Sequence, residues 1–175
     1  VSIVAAAGAT PTLDWTGDFA AVTVGASDYL TMIGVGFSNT TSTSANAKCV
    51  TASGTSSAVK LLSCSGVCYG DAVYIDQTDK VLLVDCDFES TNAIGVHIDN
   101  GRTMTQILNC EIHDCGSHGV KQDSQLGLEG FALVGSIIRD NGSAGLWMKT
   151  QGIGFLHVIR SNIFHANTGD GIEAQ

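Results

Sequence analysis

The chain has 175 residues, of which 44% are hydrophobic and 14% are charged, a composition that excludes a disordered protein and suffices for one domain with a sizeable core. The net charge is −9 and only eight residues are Lys or Arg, so a basic footprint cannot form and we expect no nucleic-acid partner. No apolar stretch reaches about 18 residues, so we expect no membrane span.

A short apolar strand pattern recurs along the chain at intervals of 23–28 residues. In each copy a branched apolar residue, often preceded by Gly or Ala, begins a short alternating run, as in Gly95-Val96-His97-Ile98. Such alternation places successive side chains on opposite faces of a strand. In chain order the apolar anchors are Val22, Val50, Val73, Val96, Val120, Leu146 and Ile172.

A second strand pattern keeps the same spacing and reads Asp85-Cys86-Asp87-Phe88 in one copy. Units of this size cannot bury an apolar face alone, so they must stack, about 4.8 Å apart. The repeat therefore predicts an all-β fold, a right-handed parallel β-helix (a solenoid) of about seven coils of 23–28 residues. We expect one domain over residues 1–175, with irregular first coils in residues 1–49 and regular coils in residues 50–175.

Stacking brings equivalent inward residues into columns. The first predicted column contains Val73, Val96, Val120, Leu146 and Ile172, and the second contains Phe37, Val67, Phe88, Ile112, Ile138 and Phe164. The third contains Val35, Cys64, Cys86, Cys110, Ser136 and Asn162. We interpret its cysteines as buried thiols, because free Cys packs as a small hydrophobe and strand geometry rarely suits a disulfide, but pairing stays open. At a turn, a polar ladder is predicted for Cys115, Asn141 and Asn167.

Two outward columns contain the residues that could bind a ligand or take part in catalysis. The position after each anchor holds Tyr74, His97, Lys121, Trp147 and Glu173, and two positions further stand Asp76, Asp99, Asp123 and Lys149. Neighbouring stacked carboxylates repel by roughly 3 kcal/mol at an effective dielectric constant near 20. We therefore expect an aspartate of this column to have a raised pKa, to bind a cation or to lie beside a base.

These columns indicate carbohydrate chemistry. The candidate acids for glycoside cleavage, which are also the candidate ligands for calcium, are Asp76, Asp99 and Asp123. The candidate ligand-binding residues are Tyr74, His97, Lys121, Trp147 and Lys149. Aromatic faces can hold sugar rings, and an imidazole or an amine can act as base or charge stabiliser. No cofactor is required. The competing interpretation is a solvated face whose aspartates cap backbone N–H groups at turns.

Residues 161–172 read Ser161-Asn162-Ile163-Phe164-His165-Ala166-Asn167-Thr168-Gly169-Asp170-Gly171-Ile172. This segment resembles the generic repeat of the pectin-lyase-like β-helix superfamily, which includes polysaccharide-active enzymes, and of the β-helical phage tail spikes. The resemblance covers most of the chain, clearly from Val50 onward, and no specific enzyme family is matched. It implies an extracellular or virion-surface protein with a polysaccharide partner. It also implies open ends covered by homotrimerisation or by the rest of a longer chain.

Three functions follow from these observations. The first is a structural and recognition module of a tailspike-like protein that contacts polysaccharide. The second is a polysaccharide lyase, glycoside hydrolase or epimerase that uses Asp76, Asp99 and Asp123 as its acids. The third is an inert structural spacer. A groove over the aspartates would favour the enzyme, whereas a flat face of solvated side chains would favour the spacer.

Overall fold

A computed structural model of the chain describes residues 1–26, 28–55, 57–99, 104–123, 130–149 and 157–175. These residues form 21 short strands and no helix that is long and apolar enough to cross a membrane. The strands are β1 (Ser2–Val4), β2 (Thr12–Asp14), β3 (Val22–Val24), β4 (Tyr29–Ile33), β5 (Gly36–Ser38), β6 (Val50–Ser53), β7 (Ala58–Leu62), β8 (Ser65–Cys68), β9 (Val73–Asp76), β10 (Lys80–Val84), β11 (Asp87–Ser90), β12 (Val96–Ile98), β13 (Met104–Leu108), β14 (Glu111–His113), β15 (Val120–Gln122), β16 (Gly130–Val134), β17 (Ile137–Arg139), β18 (Leu146–Met148), β19 (His157–Arg160), β20 (Ile163–His165) and β21 (Ile172–Ala174).

Every third strand joins the same sheet, which gives three parallel sheets of seven strands each in the described part of the chain. The first sheet runs from β1 to β19, the second from β2 to β20 and the third from β3 to β21. The predicted all-β parallel solenoid is confirmed. Because seven strands are separated by six steps, the chain completes about six full turns, slightly fewer than the seven coils predicted.

The interior consists of the stacked apolar columns that the repeat predicts. In the first column Val73, Val96, Val120 and Leu146 are fully buried, whereas Ile172 in the last coil is 47% exposed. The cysteine column is also buried, and all six cysteines of the chain are free thiols. In the inner coils, alternate residues of each short strand thus supply the core, and the residues between them face outward.

The second column differs from the prediction in one coil. Gly66, and not Val67, pairs with both Phe37 and Phe88, so Val67 lies outward and is half-buried. A Cβ atom at Gly66 would lie 2.7 Å from the Sγ atom of Cys49 and 3.2 Å from the Phe88 ring. The prediction of Val67 was wrong because it placed an apolar residue where the neighbouring ring and thiol leave room only for glycine.

The corner between the first and second sheets has the same backbone conformation in six successive coils. One residue in each adopts a positive φ of 51–68°, and these are Gly34, Ser63, Asp85, Asn109, Gly135 and Ser161. Gly and Asn or Asp tolerate this left-handed region better than other residues do. The repeated corner keeps the coils in register, so equivalent outward side chains stack directly above one another.

Candidate functional site

The candidate site is the outward face of the third sheet, on β9, β12, β15 and β18. Strand pairing places Tyr74 beside His97, His97 beside Lys121, and Lys121 beside Trp147. The register continues past the strand ends, because the backbone N–H of Asp99 donates to Ile75 and that of Lys149 donates to Gln122. The two outward columns therefore lie side by side, and successive residues of each column are separated by the distance between neighbouring strands.

Three side chains contact Tyr74. Its hydroxyl donates a hydrogen bond of 2.8 Å to Oδ2 of Asp99 on the next coil. The Nζ atom of Lys48 lies 4.7 Å from the ring centre, and the His97 ring packs edge-on at 5.3 Å. Burial and the charge and hydrogen bonding of Asp99 raise the pKa of the Tyr74 hydroxyl, so it remains a donor at neutral pH.

Asp76 lies in surroundings that favour the protonated form of its carboxyl group. Burial, and secondarily the charge of Asp99, raise the pKa of Asp76 above its ordinary value. Its Oδ1 atom is buried and has no hydrogen-bond partner among the described residues. One expectation for stacked aspartates, a raised pKa, is thus met at this position.

Asp123 has the opposite environment. Lys121 donates to its Oδ2 atom at 2.9 Å, and the Nζ atom of Lys149 lies 3.7 Å from its Oδ1 atom. Burial would raise the pKa of Asp123, but the hydrogen bond from Lys121 and the two lysine charges outweigh it, and the pKa is lowered. The three carboxylates of the column are therefore not equivalent. Two lysines compensate the negative charge of Asp123, so the repulsion between carboxylates is concentrated between Asp76 and Asp99.

Trp147 is the second aromatic residue of the first outward column and lies between Lys121 and Glu173. The Nζ atom of Lys121 lies 5.0 Å from its ring centre, which is within cation–π distance. The His118 ring packs against it edge-on, with centres 6.2 Å apart and planes inclined at 61°. The indole is thus half-buried and fixed in place, with part of its surface available to a ligand.

His97 has a partner that the sequence analysis missed. Its Nδ1 atom lies 3.0 Å from Oδ2 of Asp71, whose Oδ1 atom accepts a hydrogen bond from the Ile94 N–H. Because an ionised carboxylate only accepts, Nδ1 carries the proton, and Nε2 of a neutral ring keeps its lone pair. Nε2 is buried and has no partner among the described residues. Asp71 lies in the turn two residues before the anchor Val73. The equivalent position in the next coil holds Ile94, so the repeat has no common side chain there that would have indicated Asp71.

Comparison with known proteins identifies the fold family. The family model described as a right handed beta helix region matches residues 48–175. The chain belongs to the right-handed β-helix family. No curated protein and no solved structure gives a significant match to it. The matched region of the β-helix contains every candidate site residue.

The outward face of this β-helix combines acceptors, donors and aromatic surface. Over the residues that the structure describes, no group of three or more His, Cys, Asp or Glu side chains is arranged to hold a metal ion. A calcium ion would rely on the carboxylates of Asp76 and Asp99, because Asp123 is paired with two lysines. The arrangement offers hydrogen-bond donors and acceptors to a ligand, and it contains an imidazole paired with Asp71 and, on the neighbouring column, a carboxyl with a raised pKa at Asp76.

Proposed function

We propose that this β-helix is a recognition module that binds polysaccharide along the outward face of its third sheet. The observation that supports the proposal is a stretch of the first outward column, over four successive coils, in which fixed side chains lie between the ring of Tyr74 and the ring of Trp147. Neighbouring coils lie about 4.8 Å apart, which is close to the length of one sugar unit in an extended chain. A polysaccharide parallel to the coil axis can therefore place one sugar over each coil.

Side-chain contacts within and between coils organise this face before a ligand arrives. Tyr74 is bonded to Asp99, His97 to Asp71, and Lys121 to Asp123. Side chains that are already fixed lose little conformational entropy on binding, so a larger share of the contact energy appears as affinity. The aromatic rings offer flat apolar surfaces to the C–H faces of sugars, and the carboxylates and amines bond to hydroxyl groups.

The charges suggest which saccharides suit the face. Asp76 and Asp99 make one part of it acidic, whereas Lys121 and Lys149 balance Asp123 in the other part. Neutral polysaccharides fit this mixture directly. Acidic polysaccharides would need a cation between their carboxylates and those of Asp76 and Asp99, and calcium is the ion we propose for that case.

Glycan-array screening followed by calorimetry tests binding, in the presence and absence of calcium. We expect Trp147→Ala and Tyr74→Ala each to weaken the identified ligand about tenfold, equivalent to about 1.4 kcal/mol. Gln106→Ala is the matched control, because Gln106 is an outward, half-buried residue on β13 of the first sheet. Absence of any glycan signal with a folded protein would refute the polysaccharide proposal and favour the inert spacer over it.

Cleavage of the bound polysaccharide is the second candidate function. It is favoured by the Asp71–His97 pair, which leaves the lone pair on Nε2 of a neutral His97 unused, and by Asp76, which holds a proton more readily than an ordinary carboxyl. New reducing ends would indicate a hydrolase, and an unsaturated product would indicate a lyase. We expect His97→Gln and Asp76→Asn to abolish turnover while binding persists. A ligand that binds wild type and is never cleaved would rule out this function.

The proposal places the module on an extracellular or virion surface, in a tailspike-like protein that can assemble as a homotrimer. Burial of all six thiols is compatible with such a location, because buried thiols are shielded from oxidants. Light scattering at several concentrations measures the oligomeric state of the chain. A monomer at all concentrations would show that these coils do not trimerise on their own.

A further inference from the structure

A second cluster of reactive side chains lies at the edge of the third sheet, where the chain enters β15 and β18. The His118 ring contacts two hydroxyl groups on successive coils. Oγ of Ser117 lies 2.9 Å from Nδ1, and Oγ of Ser143 lies 3.3 Å from Nε2. The Ser143 N–H donates to the Ser117 carbonyl at 3.0 Å, so the two serines are stacked. All three residues are half-buried and can be reached by a ligand.

The hydrogen-bonding capacity of imidazole makes one of these hydroxyls a donor. A neutral ring has one N–H donor and one acceptor nitrogen, so one serine accepts from His118 and the other donates to it. Burial and the charge of Lys121 lower the pKa of His118, so the ring is largely neutral at pH 7. A serine hydroxyl that donates to a neutral imidazole is an activated nucleophile.

We propose that Ser143 and His118 form an ester-hydrolysing site, with Ser143 as nucleophile, His118 as general base and Ser117 as the residue that orients the ring. In the tautomer that the proposal uses, His118 carries its proton on Nδ1, so Ser117 accepts from Nδ1–H and Nε2 accepts from Ser143. Nδ1 then makes the positioning contact, and Nε2 is the base for the nucleophile.

The substrate class is an acyl ester carried by a saccharide. Trp147 packs against His118 and also belongs to the proposed polysaccharide-binding face, so a sugar over the indole brings its ester groups to Ser143. Only the saccharide part of this assignment rests on the proposed function. The ester chemistry rests on the two serine–imidazole contacts alone.

The reaction uses water and no other co-reactant. Oγ of Ser143 bonds to the ester carbon while its proton moves to Nε2 of His118. The carbon–oxygen bond to the sugar then breaks, and the sugar oxygen takes the proton from Nε2. Water, deprotonated by the same nitrogen, attacks the acyl-enzyme, and the proton returns to Oγ of Ser143 as the carboxylic acid leaves.

Hydrolysis of p-nitrophenyl acetate by the full chain, with fluorophosphonate labelling and mass spectrometry, tests the chemistry without any glycan. We expect one label per chain, on Ser143, and a loss of at least about 100-fold in rate for Ser143→Ala. Ser65→Ala is the control, because Ser65 is exposed on β8 of the second sheet. An unchanged rate in folded Ser143→Ala, or a label on Ser117, would overturn the assignment.

Release of acetate from an O-acetylated polysaccharide then tests the substrate class. Turnover of the aryl ester without binding to any glycan would refute the polysaccharide proposal and retain the ester chemistry. Glycan binding without turnover of either ester would refute the ester-hydrolysing site and retain the polysaccharide-binding face. Thermal unfolding of each variant shows that a lost rate does not reflect a lost fold.

Discussion

The side-chain amide of Asn141 donates a hydrogen bond of 2.8 Å to Oδ1 of Asn167 on the next coil, and that oxygen also accepts from the backbone N–H of Asn141. The same pattern repeats one coil earlier, where Oδ1 of Asn141 accepts from the Cys115 N–H at 3.1 Å. Asn141 is 1% exposed, so these bonds are protected from water. The predicted polar ladder is confirmed, and it satisfies backbone groups at a corner where the sheet hydrogen bonds are interrupted.

Asn141→Ala should destabilise the fold by about 1–3 kcal/mol, because it leaves the buried Cys115 N–H without its acceptor and removes one of the two donors to Oδ1 of Asn167. Urea unfolding at pH 7 measures the loss. Asn46→Ala is the control, because Asn46 is exposed, and we expect a change below about 0.5 kcal/mol. Equal effects of the two substitutions would show that the ladder contributes nothing.

Most of the fold could be predicted from the sequence, because stacked coils place equivalent residues at one spacing. The ladder, the thiol column and the outward column from Tyr74 to Trp147 all follow from it. Contacts made by a position of the repeat whose residue type varies could not be predicted. Lys48 and Asp71 each lie two residues before an anchor, where the coil after Asp71 has Ile94, so the repeat does not indicate their contacts with Tyr74 and His97.

Gly135→Ala tests the repeated left-handed corner. Gly135 has a φ of 65°, and a Cβ atom there would lie 2.5 Å from Oδ1 of Asn109. Gly8→Ala is the matched control, because Gly8 has a φ of 77° and open space around it. We expect Gly8→Ala to lower the free energy of unfolding by about 1–2 kcal/mol through backbone strain, and Gly135→Ala to lower it by more, as measured by urea unfolding. A smaller loss at Gly135 would mean that Asn109 moves away freely.

His113 should make stability depend on pH. Its Nε2 atom lies 2.8 Å from Asp87 and its Nδ1 atom lies 2.6 Å from Asp114. Burial would lower the pKa of His113 and the charge of Arg139 opposes protonation, but the two carboxylates outweigh both and the pKa is raised. The stabilisation is therefore complete below the unfolded pKa of about 6.5 and is lost as pH rises through the higher folded pKa.

Unfolding free energies of wild type and His113→Gln, measured from pH 5 to pH 9, check this sign. The difference between them should be largest at the acidic end and should shrink as pH rises. Asp87→Asn removes one carboxylate partner and should weaken the pH dependence. A difference that grows with rising pH would contradict the assignment of a protonated His113.

The six cysteines should be unreactive in the folded protein and fully reactive after unfolding. Hydrogen bonding to Cys110, together with burial, raises the pKa of Cys86 to about 12, and burial raises the pKa of Cys115 to about 12. The pKa of Cys110 is lowered by its bond with Cys86, but Cys110 is 2% exposed and lacks access to reagent. Iodoacetamide labelling with mass spectrometry measures this, and rapid native labelling at Cys110 would show that the column opens.

Asp76→Asn should stabilise the protein at pH 7, which would indicate that the aspartate is kept for function. Because burial and Asp99 raise the folded pKa of Asp76, the ionised group lowers stability as pH rises above the unfolded pKa of about 3.9. The variant and wild type should thus be equally stable near pH 3 and diverge toward pH 7 in urea unfolding. Asp79→Asn, at an exposed position, is the control. A loss of stability at pH 7 would instead show that Asp76 caps the turn, as the solvated-face interpretation requires.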